Sequence, residues 1–149
     1  MKTVKYTIIA AIIIILAVVF LLHNKHDGSK VILPNGKVVI IQVAESIDEQ
    51  KKGLSGRTTL GVNEGMLFIF NTKLIPNFWM KDMLMSIDII WISDNKIVDL
   101  SSELVPESYP DNSYSPQYPV NSVLEVNAGF IKKNNLKVGD MLDIVVKKQ

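Results

Sequence analysis

Gly65-Met66-Leu67-Phe68-Ile69-Phe70 alternates between two faces, Met66/Phe68/Phe70 on one and Leu67/Ile69 on the other, and both are apolar. A strand with apolar side chains on both sides is covered on both, so this stretch belongs at the centre of a sheet or along a pocket. The runs around it are short and end at Gly, Pro, Asn or Asp, which is the punctuation of strands. Upstream, Pro34-Asn35-Gly36 makes the turn of a hairpin between Val31–Leu33 and a strand over Lys37–Ala44. Ser46-Ile47-Asp48-Glu49 fits a capping box, with Ser46 as N-cap and Glu49 reaching back to its amide. Gly53 then ends that short helix in a left-handed conformation.

Downstream, Ile87–Ile92 is a strand that turns at Asp94-Asn95 into Ile97–Leu100. Val123–Asn127 is another, with Asn127 capping a helix through Phe130-Ile131 that stops near Asn134-Asn135. Val138-Gly139-Asp140 leads into the last strand, Met141–Val146. These elements predict a mainly β (α+β) fold: a twisted, partly closed sheet or small barrel with two short helices. About twenty residues between Leu100 and Val120 carry Pro106, Pro110, Pro116 and Pro119 with Tyr109, Tyr114 and Tyr118, a length expected of a functional loop or an extended strap.

The chain begins differently. Ile8–Leu22 is an unbroken apolar run, and extended back to Val4 it gives a helix of roughly 28 Å, close to the bilayer core of about 30 Å. The segment after it offers no A-x-A-like site, so 4–22 reads as one uncleaved transmembrane helix; the rival is a signal removed to leave a secreted protein. Residues 23–30 are then a polar linker and 31–149 a single domain. Lys2, Lys5 and the free amino terminus favour the N-terminus inside and the domain outside the cytoplasm, at the cell membrane. The implied partner of Ile8–Leu22 is the lipid bilayer.

Of the sixteen basic residues, fourteen lie beyond the apolar run with all fifteen acidic ones, a formal balance of −1. That lacks the basic footprint of a nucleic-acid binder. With no cysteine, disulfides, thiolate chemistry and Cys-ligated zinc are excluded. Both histidines, His23 and His26, precede the domain, which excludes a Ser-His-Asp triad or an H-E-x-x-H zinc site within it. Asp94-Asn95-Lys96 and Asp111-Asn112-Ser113 do not match a calcium loop, and Gly53-Leu54-Ser55-Gly56-Arg57 lacks the Walker spacing. No cofactor and no metal site is expected.

Phe78-Trp79-Met80-Lys81-Asp82 is the densest chemical segment. Together with Gly53-Leu54-Ser55-Gly56-Arg57, Gly65–Phe70, Ile87-Asp88-Ile89 and Val123-Leu124-Glu125-Val126-Asn127-Ala128-Gly129, it resembles the domain of unknown function 192 family over about Val38 to Val145. The resemblance implies a small, mostly β domain, often exported or membrane-attached, without an established activity. In that family the Phe-Trp-Met-Lys stretch is followed by an Asn-Thr pair and then by Pro before Leu-Asp. Here those places hold Asp82-Met83 and Ser86, with Ile87 before Asp88.

Arg57 follows a turn with two glycines that can bring a guanidinium to one place, either to clamp an acidic ligand or to pair with Asp88 or Glu125. Trp79 beside Lys81 and Asp82 offers an aromatic platform with polar selectors. The candidate ligand-binding surface is therefore Arg57, Trp79, Lys81, Asp82, Asp88 and Glu125 with the tyrosine loop. Its partner is a small ligand or an envelope protein, bound without catalysis. The alternative is a carboxylate-dependent hydrolase using Asp82, Asp88 or Glu125; in one unbroken strand Asp82 and Asp88 would stand roughly 20 Å apart, too far for a catalytic pair.

Overall fold

Residues 28–106 and 113–147 are described by the computed structural model. The apolar run Ile8–Leu22, its orientation and most of the linker lie outside them, as does Tyr109; among the described residues no helix is long and apolar enough to cross a membrane.

The strands are β1 (Lys30–Ile32), β2 (Val38–Ala44), β3 (Glu64–Leu74), β4 (Phe78–Trp79), β5 (Ile87–Ser93), β6 (Lys96–Leu104), β7 (Ser113–Tyr114), β8 (Val120–Asn127) and β9 (Asp143–Val145). Two short helices, α1 (Ile47–Lys52) and α2 (Phe130–Lys133), accompany them. Seven strands form one sheet in the order β6-β5-β8-β3-β2-β1-β9, and β4 pairs with β7 in a separate ribbon. β3 thus takes the middle place that its two apolar faces require. It runs antiparallel to β8, with Leu67 opposite Leu124, and parallel to β2, with Val43 opposite Leu67. α1 lies in the crossover between the parallel pair.

Both expected hairpins form. β1 and β2 pair through the Gly36 turn, and β5 and β6 turn at Asp94 and Asn95, whose φ angles of 51° and 63° are those of a type I′ turn. The sheet curls into a half-barrel. Ile97 donates to the Asp140 carbonyl at 2.9 Å and Leu142 to that of Asn95 at 2.8 Å, tying the segment before β9 to the start of β6.

Alternation along the strands separates two cores. Leu67, Ile90, Ile92, Leu124 and Val126 pack on one face with Phe130 and Ile131 of α2. Met66, Phe68, Ile87, Ile89, Trp91 and Val123 pack on the other, under Leu54, Met80 and Met83. Gly65 admits close approach in β3, because a Cβ there would stand 2.8 Å from the Glu125 carbonyl oxygen.

Two expectations change. Asn127 does not cap α2; its amide donates to the carbonyls of Leu60 and Gly61 at 3.1 and 2.9 Å, and Gly129 is the N-cap with no side-chain cap of its own. The supposed loop after Leu100 is also shorter, since β6 continues to Leu104 and Ser113–Tyr114 pairs with Phe78–Trp79.

Candidate functional site

α1 starts at the expected capping box: Glu49 N–H donates to Ser46 Oγ at 3.3 Å, and Ser46 N–H donates to Glu49 Oε2 at 2.9 Å. No residue of α1 is buried; Gln50 anchors it instead, its amide donating to the Ile69 carbonyl of β3 at 3.0 Å. Gly53 ends the helix at φ 49°, ψ −134°, positive in φ as expected yet outside the ordinary left-handed region. The turn that follows is fastened to the next shared motif through backbone carbonyls. Gly56 N–H donates to the Asp82 carbonyl at 2.8 Å and Ser55 Oγ to the Lys81 carbonyl at 2.9 Å.

The opposite wall is β4. Phe78 meets Phe68 and Trp91 edge-to-face, with ring centroids 4.9 and 5.4 Å away. The next residue, Trp79, points the other way and is 52% exposed. Between α1 with its glycine turn and β4 lies a pocket of about 230 Å³, lined by Gln50, Gly53, Phe68, Phe70, Phe78, Trp79 and Glu125, with Lys51 and Lys52 at its rim.

Glu125 is the unusual member. It is only 5% exposed, and its Oε2 has no hydrogen-bond partner among the described residues. Burial pushes its carboxyl up to about 8 from an ordinary value of 4.5, against the smaller downward pull of the Arg57 guanidinium. A Cβ on Gly53 would come within 3.7 Å of that oxygen and 3.4 Å of the Phe68 ring. A side chain on Gly53 would therefore pack directly against the orphan atom.

Of the six residues singled out in the sequence, Trp79 and Glu125 line this pocket. Arg57 stands near it, but its guanidinium donates to Gln42 Oε1 and acts on Glu125 by charge, so the expected pairing with Asp88 does not form. Lys81 and Asp82 turn their side chains to solvent while their carbonyls hold the glycine turn. Asp82 has φ 55°, a conformation that Asp and Asn tolerate.

Asp88 is fully buried on the α2 side. Its oxygens accept the backbone N–H groups of Glu103, Gly129 and Ile131 at 2.8, 3.1 and 2.9 Å, which is the cap that Asn127 does not supply. Asp88 is paired with Val126 and Glu125 with Ile89, so the two carboxyls project from opposite faces of the sheet. Tyr114 packs against the second core and Tyr118 is exposed. Gln50, Gly53 and Phe78 are not among the six expected binding residues, although Gly53 and Phe78 lie in the motifs quoted above; the lone acid within Val123-Leu124-Glu125-Val126 marks the pocket floor. Among the described residues no three His, Cys, Asp or Glu side chains cluster as a metal site.

The family described as DUF192, uncharacterized ACR, matches residues 30–144. No curated protein matches the chain. Among solved structures, a proposed transcription regulator from Sinorhizobium meliloti 1021 is similar at 28% identity and TM-score 0.70, covering 78% of this chain and 91% of that one. A protein of unknown function from Novosphingobium aromaticivorans DSM 12444 is similar at 32% identity and TM-score 0.70, covering 77% of this chain and 82% of that one.

Proposed function

The chain belongs to the DUF192 family, and for this member we propose a membrane-tethered extracytoplasmic domain that binds a small ligand over Glu125 without altering it. The observation that carries the binding is the unpartnered Oε2 of a buried Glu125 at the floor of an aromatic pocket. Buried polar atoms are nearly always hydrogen-bonded, and one left unpaired costs roughly 1–3 kcal/mol. A ligand in the pocket supplies the missing partner. The tether rests on the apolar run Ile8–Leu22 and the lysines before it.

Binding is favoured over hydrolysis because paired-carboxylate catalysis needs a second acid about 5 to 9.5 Å away. Glu125 is the one acid among the residues lining the pocket, Asp88 faces the other core, and Asp82 points to solvent. Gene regulation, proposed for the Sinorhizobium meliloti protein, is not carried over, since a balance of −1 beyond the apolar run lacks the net basic charge of a nucleic-acid binder.

The test is equilibrium dialysis of the full chain, in mild detergent, against the small-molecule fraction of a cell extract. Wild type is expected to retain a compound that is recovered chemically unchanged, and Glu125→Leu and Trp79→Ala to release it. Retention of nothing, or recovery of an altered compound, overturns binding without chemistry. Protease added to intact cells is expected to digest the domain; a protected domain overturns the placement.

A further inference from the structure

We propose that the pocket takes a single hydroxylated ring of the sugar class, uncharged where it meets Glu125, with a hydroxyl on the orphan Oε2 and its apolar face on the aromatic wall. The inference rests on the binding reading above and names the ligand's chemistry.

Three observations converge on it. Oε2 is buried beside the Gly53 turn, where a Cβ would stand 3.7 Å from it, and it lacks a partner among the described residues, so a small polar group at the floor of the pocket that Glu125 lines would complete it. A hydroxyl suits that position because it both donates and accepts, and so pairs with the carboxyl in either protonation state. Trp79, half-exposed on a two-stranded ribbon, presents a large rigid surface at the mouth, on which the C–H face of a ring can stack while its hydroxyls stay wet. The volume of about 230 Å³ falls below the about 300–1,000 Å³ of pockets for drug-sized ligands, which limits the occupant to about one ring.

Charge decides between a neutral ring and an amine. An aromatic pocket with a carboxyl is also the composition of an ammonium site. Here Lys51 and Lys52 line the pocket and Arg57 already acts on Glu125, so the site carries more positive than negative charge and an ammonium ligand is disfavoured. An uncharged ring meets no such barrier.

The test titrates the full chain in mild detergent with the methyl glycosides of glucose, galactose, mannose and N-acetylglucosamine, and with glucosamine as the cationic counterpart, following the heat of binding by calorimetry. At least one neutral glycoside is expected to bind saturably, at least tenfold more tightly than glucosamine. Glu125→Leu and Trp79→Ala are each expected to weaken it by tenfold or more, while Lys132→Ala, exposed on α2 and outside the pocket lining, leaves it unchanged. Circular dichroism of each variant separates lost binding from lost fold, and Glu125→Gln, which keeps a polar partner, is expected to retain more affinity than Glu125→Leu.

Binding of none of the four glycosides, tighter binding of glucosamine, or affinity indifferent to both pocket substitutions overturns the proposal. If the extract compound is still retained through Glu125 while every glycoside fails, the sugar class falls and the binding reading stands. If both fail, both readings fall.

Discussion

Replacing Glu125 by Gln removes a titration and leaves the shape of the side chain nearly intact. In the unfolded chain this carboxyl ionises near 4.5, whereas burial in the folded domain holds its proton to about 8. Between those values the folded state carries one proton more than the unfolded state, so stability falls as pH rises, by about 1.4 kcal/mol per pH unit. Below 4.5 both states are protonated and above 8 both are ionised, so the loss is confined to that window and totals about 5 kcal/mol. That is comparable with the whole stability of many small domains, about 5–15 kcal/mol. The assay is urea unfolding of the full chain in mild detergent at pH 5, 6, 7 and 8, read from Trp91, which is fully buried beneath the pocket wall. Relative to Glu125→Gln, wild type is expected to lose stability steadily across this range. Arg57→Gln removes the opposing charge and extends the loss to higher pH. Parallel profiles for wild type and Glu125→Gln, or a wild type that gains on the variant as pH rises, would refute the buried, unpaired state of this carboxyl.

Asp88→Asn places an amide where an oxygen accepts a backbone N–H, so we expect a loss of about 3 kcal/mol in urea unfolding without any change in pocket binding. Gly65→Ala forces a methyl group to 2.8 Å from a carbonyl oxygen of β8, and a loss of about 1–3 kcal/mol is expected from its thermal midpoint. Ser46→Ala removes the cap of α1 at a cost of about 1 kcal/mol. Hydrogen bonds from Ser46 hold the Glu49 carboxyl below its ordinary 4.5, so the stability from that cap is present above 4.5 and fades as pH falls through Glu49's own titration. The margin of wild type over Ser46→Ala should shrink in acid.

The fold was largely legible because its signals are local. Asn35-Gly36 and Asp94-Asn95 select tight turns, Ser46 and Glu49 cap each other across one helical turn, and Gly65–Phe70 is apolar on both faces whatever lies beside it. The interactions misread join distant parts of the chain. Asp88 caps α2 from more than forty residues away, and Asn127 is drawn to the carbonyls of Leu60 and Gly61, more than sixty residues away. Neither partner is set by spacing. The same holds for the pocket, in which the glycine turn, β4 and β8 are brought together only by the curl of the sheet. Trp79 could be singled out as an exposed ring, whereas Gln50 and Gly53 gained their roles from what lies across from them.

The two buried acids show how the sheet assigns roles that residue type does not. Asp88 and Glu125 lie on adjacent antiparallel strands, and both interrupt apolar runs. Asp88 stands opposite Val126 and Glu125 opposite Ile89, so the pleat turns them to opposite sides. On the α2 side, free N–H groups at the start of a helix converge on Asp88 and satisfy its carboxylate. On the α1 side the facing element is the end of a helix followed by Gly53, which has no side chain, and among the described residues no donor reaches Oε2. Two buried acids on adjacent strands thus differ: one has its bonds complete within the fold, and the other keeps an oxygen without a partner among the described residues. A shift of one residue in the β5–β8 register would exchange the faces of Asp88 and its neighbours, losing the helix cap. The register that fixes the cap is thus the same one that leaves Glu125 alone at the floor of the pocket.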